Sequence, residues 1–562
     1  MNGQEKGSFL GQARGLEPAE QVFRNAELFN PFTCGWERTD IAVSRGVVVG
    51  LGRYRGRLEH DLRGARVVPG LIDAHTHIES SLLVPSEYAK AVSAHGTTTV
   101  IADPHEIANV LGTAGISYML SARKGLPVDI FFMLPSCVPA TPMDPAGAVL
   151  QAADLAQFIG REGVLGLGEV MNVPGTLGGD QALHKKISQF SIVDGHCPGL
   201  SGKDLNAYLM AGPQSDHEST TAAEAGEKLS RGMYLYIREG STERNVRALV
   251  PAVTPCTVPR CSFATDDRHA DMLQREGHID DCIRKAVESG LELALAIRMA
   301  TLSAADRFGL FDRGAVAPGR LADFCVLREG ARFEVARVLK RGVWATAIAP
   351  GRRPPCPSVR FGQKPPVQGA LCIEGEGDAR VIGLVRDEIV TESLRFELAE
   401  KEVPDLDRDI LKLAVFSRYR EGEYACGYVH GFGLQNGAIA GSISHDSHNI
   451  IAVGTGDRDI LRAVSGVIER NGALVAVHEE SEAVLGLECA GLMSTQPCES
   501  VLADLGRIDV LLEKIGGITN LFMYLSFLAL PVIPALRLTS RGLFDVSSFS
   551  YVPVFVRPPG SL

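Results

Sequence analysis

The sequence predicts an α/β protein built on a (β/α)8 barrel, with a small β domain assembled from both flanks of the barrel and a C-terminal α/β or α+β domain. Three observations predict it. Between residues 67 and 311, short apolar runs alternate with helix-length segments, the texture of βα units around a parallel sheet. Eight such runs fit into roughly 240 residues, the usual size of that barrel. Polar residues able to bind or titrate fall at the C-terminal ends of the runs, where this fold carries its chemistry.

The elements follow in order. The first 20 or so residues are polar and uncommitted. From about residue 40 to residue 62, β-type runs broken by glycines (Ile41-Ala-Val-Ser-Arg-Gly-Val-Val-Val-Gly-Leu-Gly) predict a small β segment, 1–66. Barrel strand cores are expected at 71–77, 98–103, 129–136, 164–171, 191–197, 212–217, 234–238 and 261–266, the sixth having the weakest pattern. After the barrel (67–311), Gly314-Ala-Val-Ala-Pro-Gly-Arg-Leu-Ala-Asp-Phe-Cys-Val-Leu returns to β texture. Residues 312–365 are therefore expected to pair with the N-terminal segment and to end in the proline-rich boundary that starts at Pro350. Residues 366–562 form the C-terminal domain. Its apolar stretch 521–536 contains Pro531 and Pro534, falls short of the roughly 20 residues needed to span a bilayer, and reads as buried core.

Composition excludes several roles. A net charge of −11 argues against a nucleic-acid partner, which requires a basic face. Twelve cysteines without a CxxC pair or a dense framework suit a reducing compartment. The opening Met1-Asn-Gly-Gln-Glu-Lys6 lacks the apolar core of a signal peptide. A cytoplasmic protein is expected, with no membrane partner, and the apolar C-terminal stretch favours a homo-oligomer.

The chemistry starts at Pro69-Gly-Leu-Ile-Asp-Ala-His75-Thr-His77-Ile-Glu79. Residues i and i+2 of a strand face the same way, so two imidazoles at its end can converge on one metal ion. Glu169, His196, His217 and Asp266 then arrive at later strand ends. His75, His77 and Asp266 can hold one cation and His196 and His217 another, with Glu169 offering an oxygen to each. Taken singly, each residue has an ordinary reading: a hydrogen-bonded structural histidine, a salt-bridged core carboxylate, or, for Asp266-Asp267, a helix N-cap. All six in barrel order point instead to a metal-dependent hydrolase. His77-Ile-Glu79 also opens the HxE pattern of single-zinc nucleobase deaminases, but no PCxxC follows it. In the last domain, His445-Asp-Ser-His448-Asn449 is either a capping and turn network or a contribution to the active site or a subunit contact.

The runs Asp73-Ala-His-Thr-His-Ile-Glu-Ser-Ser81, Asp103-Pro-His-Glu-Ile-Ala-Asn-Val-Leu-Gly112, Pro135-Ser-Cys-Val-Pro-Ala-Thr141, Gly168-Glu-Val-Met171, Asp194-Gly-His-Cys-Pro-Gly-Leu200 and Ala264-Thr-Asp-Asp267 resemble the prokaryotic adenine deaminase family of the amidohydrolase superfamily. So do the C-terminal His445-Asp-Ser-His-Asn-Ile-Ile and Leu530-Pro-Val-Ile-Pro-Ala-Leu-Arg-Leu, and the likeness covers nearly the whole chain after residue 20. The resemblance implies hydrolysis of free adenine to hypoxanthine and ammonia by a metal-activated hydroxide. It implies two divalent cations of manganese or iron type, with zinc also suiting the donor set. His75, His77, Glu169, His196, His217 and Asp266 are then the metal-site residues, Glu169 standing where many superfamily members carry a carboxylated lysine.

Asp266 is expected to move a proton from the attacking water to the departing amine. Ser136 and Cys137 after strand three and Arg238 after strand seven are expected to contact the base. Related deaminases place an HxxE motif after strand five, whereas here His196 is followed by Cys-Pro-Gly. Protonation of the ring is thereby left to Glu239, Glu106 or Asp103. Two alternatives remain open: a different aminopurine or cyclic amide as substrate, and a catalytically silent homologue that binds a small molecule.

Overall fold

The computed structural model describes residues 9–556 apart from 144, 331, 349, 350, 352, 368, 387, 400–402 and 519. The N-terminal hexapeptide read above, and Pro350 and Arg352 of the proline-rich boundary, lie outside the described residues.

All eight expected barrel strands form: β1 (Leu71–Thr76), β2 (Thr97–Ala102), β3 (Asp129–Leu134), β4 (Val164–Val170), β5 (Val193–Gly195), β6 (Ser215–Asp216), β7 (Tyr234–Arg238) and β8 (Cys261–Ala264). β1 to β5 make a five-stranded parallel sheet in sequential order, and β6 to β8 a three-stranded one. The two sheets meet at both seams. At one, Thr76 bridges Asp266; at the other, Gln214 N donates to Val193 O at 3.0 Å. β1 and β2 are buried along their whole length, as strands covered on both faces must be, although each carries polar residues: Asp73, His75 and Thr76 in β1, Thr97, Thr98 and Thr99 in β2.

The N-terminal and returning segments share one eight-stranded sheet, joined where Phe324–Leu327 pairs antiparallel with Arg66–Pro69. This sheet starts earlier than the sequence pattern suggested, at Ala19–Asn30. The alternation there is broken between Phe23 and Ala26, where the register shifts and Asn25 adopts φ 58°. A bulge of this kind moves side chains to the other face and hides the strand from a period-2 reading.

The C-terminal segment contains a second eight-stranded sheet, in the order Thr391–Ala399, Glu376–Leu384, Tyr424–His430, Ile410–Phe416, Ile450–Gly454, Ala438–Gly441, Ala473–His478, Ser481–Gly486. It is antiparallel except for one parallel pair, Glu376–Leu384 with Tyr424–His430. Helices Asp457–Glu469 and Cys498–Ile515 pack on it, an α+β arrangement. The stretch 521–536 is core: Leu521, Leu525, Leu528 and Leu536 join one apolar cluster with Val100 of β2, Phe132 of β3, and Ile78 and Leu82 after β1. That shared cluster fixes the C-terminal domain over the loop that follows β1. Ser494 N donates to Leu82 O at 2.7 Å there, and Leu83 bridges Ser494. Among the described residues, no helix is long and apolar enough to cross a membrane.

Candidate metal centre

The C-terminal ends of the strands bring the six expected side chains into one buried cluster, five of them lining a cavity and His75 packed behind it. β1 delivers His75 and His77, whose rings sit 4.9 Å apart, and the His75 ring stacks on His217 at 4.1 Å. Asp266 follows β8 and locks onto β1. Its N donates to His75 O at 3.0 Å, and its O accepts from His77 N at 3.2 Å and from Thr76 Oγ1 at 3.0 Å. Asp266 adopts φ 54°, a left-handed backbone that non-glycine residues hold only under constraint from their surroundings.

Glu169 lies at the middle of the cluster. Its Oε1 is 3.2 Å from His77 Nε2 and 3.7 Å from His75 Nε2; its Oε2 is 2.8 Å from His196 Nδ1 and 3.2 Å from His217 Nε2. Asp266 Oδ1 is 3.0 Å from His77 Nε2 and 3.5 Å from His75 Nε2. Its Oδ2 accepts from Arg238 Nη1 at 2.7 Å, and Arg238 also holds Glu218 through both Nη atoms.

The donor set fits divalent cations. His75 Nε2, which faces Glu169 Oε1 and Asp266 Oδ1, is buried without a hydrogen-bond partner, a costly state for a polar atom unless something else takes its lone pair. The His77 Nδ1 lies 3.0 Å from Asp103 O. Donation to that carbonyl leaves the Nε2 lone pair facing the carboxylates, as in many metal-binding histidines. The groups His75, His77, Glu169 and Glu169, His196, His217 each bring their donor atoms within 4.8 Å of one another. Glu106, Glu169, Glu218, Asp266, Asp267 and Asp446 line the cavity against a single permanent cation, Arg238.

The protonation preferences reflect this crowding. Burial pushes the Glu169 and Asp266 carboxyls up, but bonds from histidines outweigh it and hold both well below the ordinary range. Burial opposes charge on His77, yet Asp266 and Glu169 raise its pKa. Burial and His77 likewise oppose charge on His105, while Asp103 and Asp446 hold its pKa up at about 10.

The remaining expected residues are distributed around the cavity. Asp103 supports it from beneath, with Oδ2 accepting from Glu169 N at 3.2 Å. Gly168 permits that approach, since a Cβ there would overlap the Asp103 carboxylate. Gly168→Ala is therefore expected to destabilise the fold by about 1–3 kcal/mol through overpacking, measured by urea unfolding; an unchanged midpoint would show that Asp103 yields freely. Glu239 is not in the cavity lining: its carboxylate is taken by Lys285 at 2.9 Å and by Val246 N at 3.3 Å. Ser136 and Cys137 are buried but line a neighbouring cavity. β3 ends at Leu134, before Ser136, and the loop carries both residues aside. Ser136 Oγ donates to Glu169 O and so touches the centre only through the backbone.

Several lining residues were not singled out by strand-end reasoning: His105, Glu218, Asp267, Met171, Ile389, Phe527 and Leu530. His105 and Glu106 open the helix His105–Leu111 directly after β2, so a wider search past each strand end would have found His105. For the C-terminal wall, the polar cluster His445-Asp-Ser-His448-Asn449 was the signal in the sequence; Ile389, Phe527 and Leu530 carried none. His445 Nδ1 and His448 Nε2 lie 2.8 Å from the two oxygens of Glu106, and the His445 ring stacks on Phe527 at 4.6 Å. Of the two readings of the His445 cluster, this places it at the cavity.

Known proteins resemble this chain over most of its length. Residues 66–345 match the amidohydrolase family, and residues 388–550 match the adenine deaminase C-terminal domain. A protein of Methanoregula boonei named adenine deaminase is 60% identical, over 98% of this chain and 98% of its own length. A second, from Methanoculleus marisnigri, is 60% identical over 92% of this chain and 99% of its own. Adenine deaminase 2 of Carboxydothermus hydrogenoformans is 44% identical over 96% and 98%. Identity of this size over nearly the whole chain, with one family model over residues 66–345 and another over 388–550, shows that the chain belongs to the adenine deaminase family of amidohydrolases.

Proposed function

We propose that the protein hydrolyses free adenine to hypoxanthine and ammonia. The observation that carries this reading is the convergence of His75, His77, Glu169, His196, His217 and Asp266 in one buried cluster, in a chain matched over 98% of its length by a relative named adenine deaminase. His75, His77 and Asp266 would hold one divalent cation and His196 and His217 a second, with Glu169 between them; manganese or iron is favoured and zinc suits the same donors. When bound, such cations acidify water to a pKa of about 7 and offset developing negative charge. In the same reading, the eight parallel strands form one closed barrel, and the chain divides at 1–66, 67–311, 312–365 and 366–562.

The chain's own groups then have distinct tasks. Asp266 takes a proton from the attacking water and passes it to the departing amine. Arg238, bonded to Asp266 Oδ2, keeps that carboxylate ionised and aimed. Of the three candidates for protonating the ring, Glu106 faces the cavity, beside His445. Asp103 is engaged with the Glu169 backbone and Glu239 with Lys285. Met171, Phe527 and Leu530 offer an apolar wall to a flat ring. Ile389, Phe527 and Leu530 of the C-terminal domain stand at the edge of this space, beside the route a purine would take.

Ammonia release from adenine, after reconstitution with defined metals, tests the reading; no release above a metal-free control refutes it. Glu169→Gln is expected to lower metal content below two per chain and turnover by about 10²-fold or more, since a neutral amide offers one oxygen and no charge to two cations. Full metal and full activity in this variant would remove Glu169 from the centre.

A further inference from the structure

Ser136 and Cys137 line a second cavity of about 400 Å3, between the loop after β3 and the C-terminal domain. Cys137, Ala140 and Met171, with Val532 against them, form the partition between it and the metal cavity. Three cationic side chains face this space, Lys186, Arg420 and Arg541, and Asp180 is the one acidic residue among the described lining. Asp180 is already engaged: its Oδ1 accepts from Ala182 N at 2.8 Å and Leu183 N at 3.2 Å as the N-cap of Gln181–Ile187.

Lys186 is the informative group. It is 8% exposed, and its Nζ makes one hydrogen bond, to Ser136 O at 2.7 Å. Among the described residues no carboxylate pairs with it. An ammonium carries three donors, and burying one with two unused is costly. Arg420 and Arg541 share a single carboxylate, Glu423, at 3.4 and 3.8 Å. Both guanidinium groups therefore retain donors for a multiply charged oxyanion such as a phosphate. The space lies at the lower end of the roughly 300–1,000 Å3 of small-molecule sites, which leaves room beyond a bare ion. Val138 and Leu150 supply an apolar wall for that remainder.

We propose that this cavity binds a small organic phosphate of nucleoside-monophosphate size, its phosphate on Lys186, Arg420 and Arg541 and its organic body against Val138 and Leu150. The site is separate from the metal cavity and does not rest on adenine being the substrate. Lys186 holds Ser136 O, and Ser136 Oγ holds Glu169 O, so the ligand would sit on a short chain of bonds leading to the metal centre.

Calorimetric titration of the metal-loaded full chain with adenosine 5′-monophosphate, ribose 5-phosphate and inorganic phosphate tests the proposal. Both esters are expected to bind once per chain, about tenfold or more tighter than inorganic phosphate. Arg541→Glu and Lys186→Met should each weaken the esters by about tenfold or more, the loss of a charge-assisted hydrogen bond. Lys186 is buried, so if Lys186→Met fails to fold, Arg541→Glu and Arg420→Glu, both at the rim, decide the matter. Four outcomes overturn the proposal. These are no ester binding at millimolar concentration, equal affinity for inorganic phosphate, affinity unchanged in both arginine variants, and displacement of the esters by adenine, which would place them at the metal centre.

Discussion

Asp266→Asn is expected to retain most of its metal and to lose turnover by about 10²–10⁴-fold, the usual worth of a positioned general acid–base group. The carboxylate has two differently occupied oxygens. Oδ1 faces His75 and His77, and Oδ2 accepts from Arg238. Asparagine can present its one oxygen to either side but cannot carry the proton from water to amine. With the oxygen turned to the histidines, its NH2 meets the Arg238 guanidinium, donor against donor, and leaves Glu218 as that cation's partner. The measurement is kcat for ammonia release beside elemental analysis of the purified variant. Normal kcat refutes the proton-carrying role; metal and activity lost in equal proportion would make Asp266 a ligand and nothing more.

Removal of residues 366 onward is expected to abolish activity and to leave an aggregating protein, although every proposed metal ligand remains. Two separate losses produce this. The apolar cluster that includes Ile78, Leu82, Val100 and Phe132 is completed by Leu411, Val453, Met493 and Leu525 of the C-terminal domain. Each fully buried side chain of this kind contributes about 1.5–3 kcal/mol, so uncovering several reaches the whole stability of a typical domain, about 5–15 kcal/mol. The second loss is at the cavity, where His445, Asp446 and Phe527 form one wall and His445 sits against Glu106. Sedimentation and ammonia release on the 1–365 chain check both. His445→Ala in the full chain separates them: it leaves the apolar cluster intact, and a drop in turnover with an unchanged unfolding midpoint isolates the wall. A soluble, active 1–365 chain would make the C-terminal domain dispensable.

Much of the centre was legible because strand geometry is local. His75 and His77 are two residues apart, and the period of a strand alone sends both to the same face. Glu169, His196, His217 and Asp266 stand at or just beyond strands that the sequence marks with apolar runs, and the structure brings all of them within reach of one another. Even β6, only two residues long, was anchored by the polar residue that follows it. Family resemblance came from the same motifs, since they are continuous in sequence.

The remainder depended on contacts between distant segments. Nothing near residue 445 announces that its imidazole will meet Glu106, because that meeting is set by how the second sheet packs on the loop after β1. Ser136 and Cys137 show the converse. Their position after β3 suggests an inward aim, but the direction of a loop past its last ladder bond is decided by what it packs against, here Met171 and the C-terminal domain. Glu239 follows β7 by one residue, yet Lys285 from a later helix draws it away. By itself the sequence located the eight strands and the polar residues at their C-terminal ends, because repeat period and residue type act over a few positions. The tertiary structure alone decided which further side chains share the cavity, which strand-end residues turn away from it and which domain closes the site, because those follow from packing between segments that are far apart along the chain.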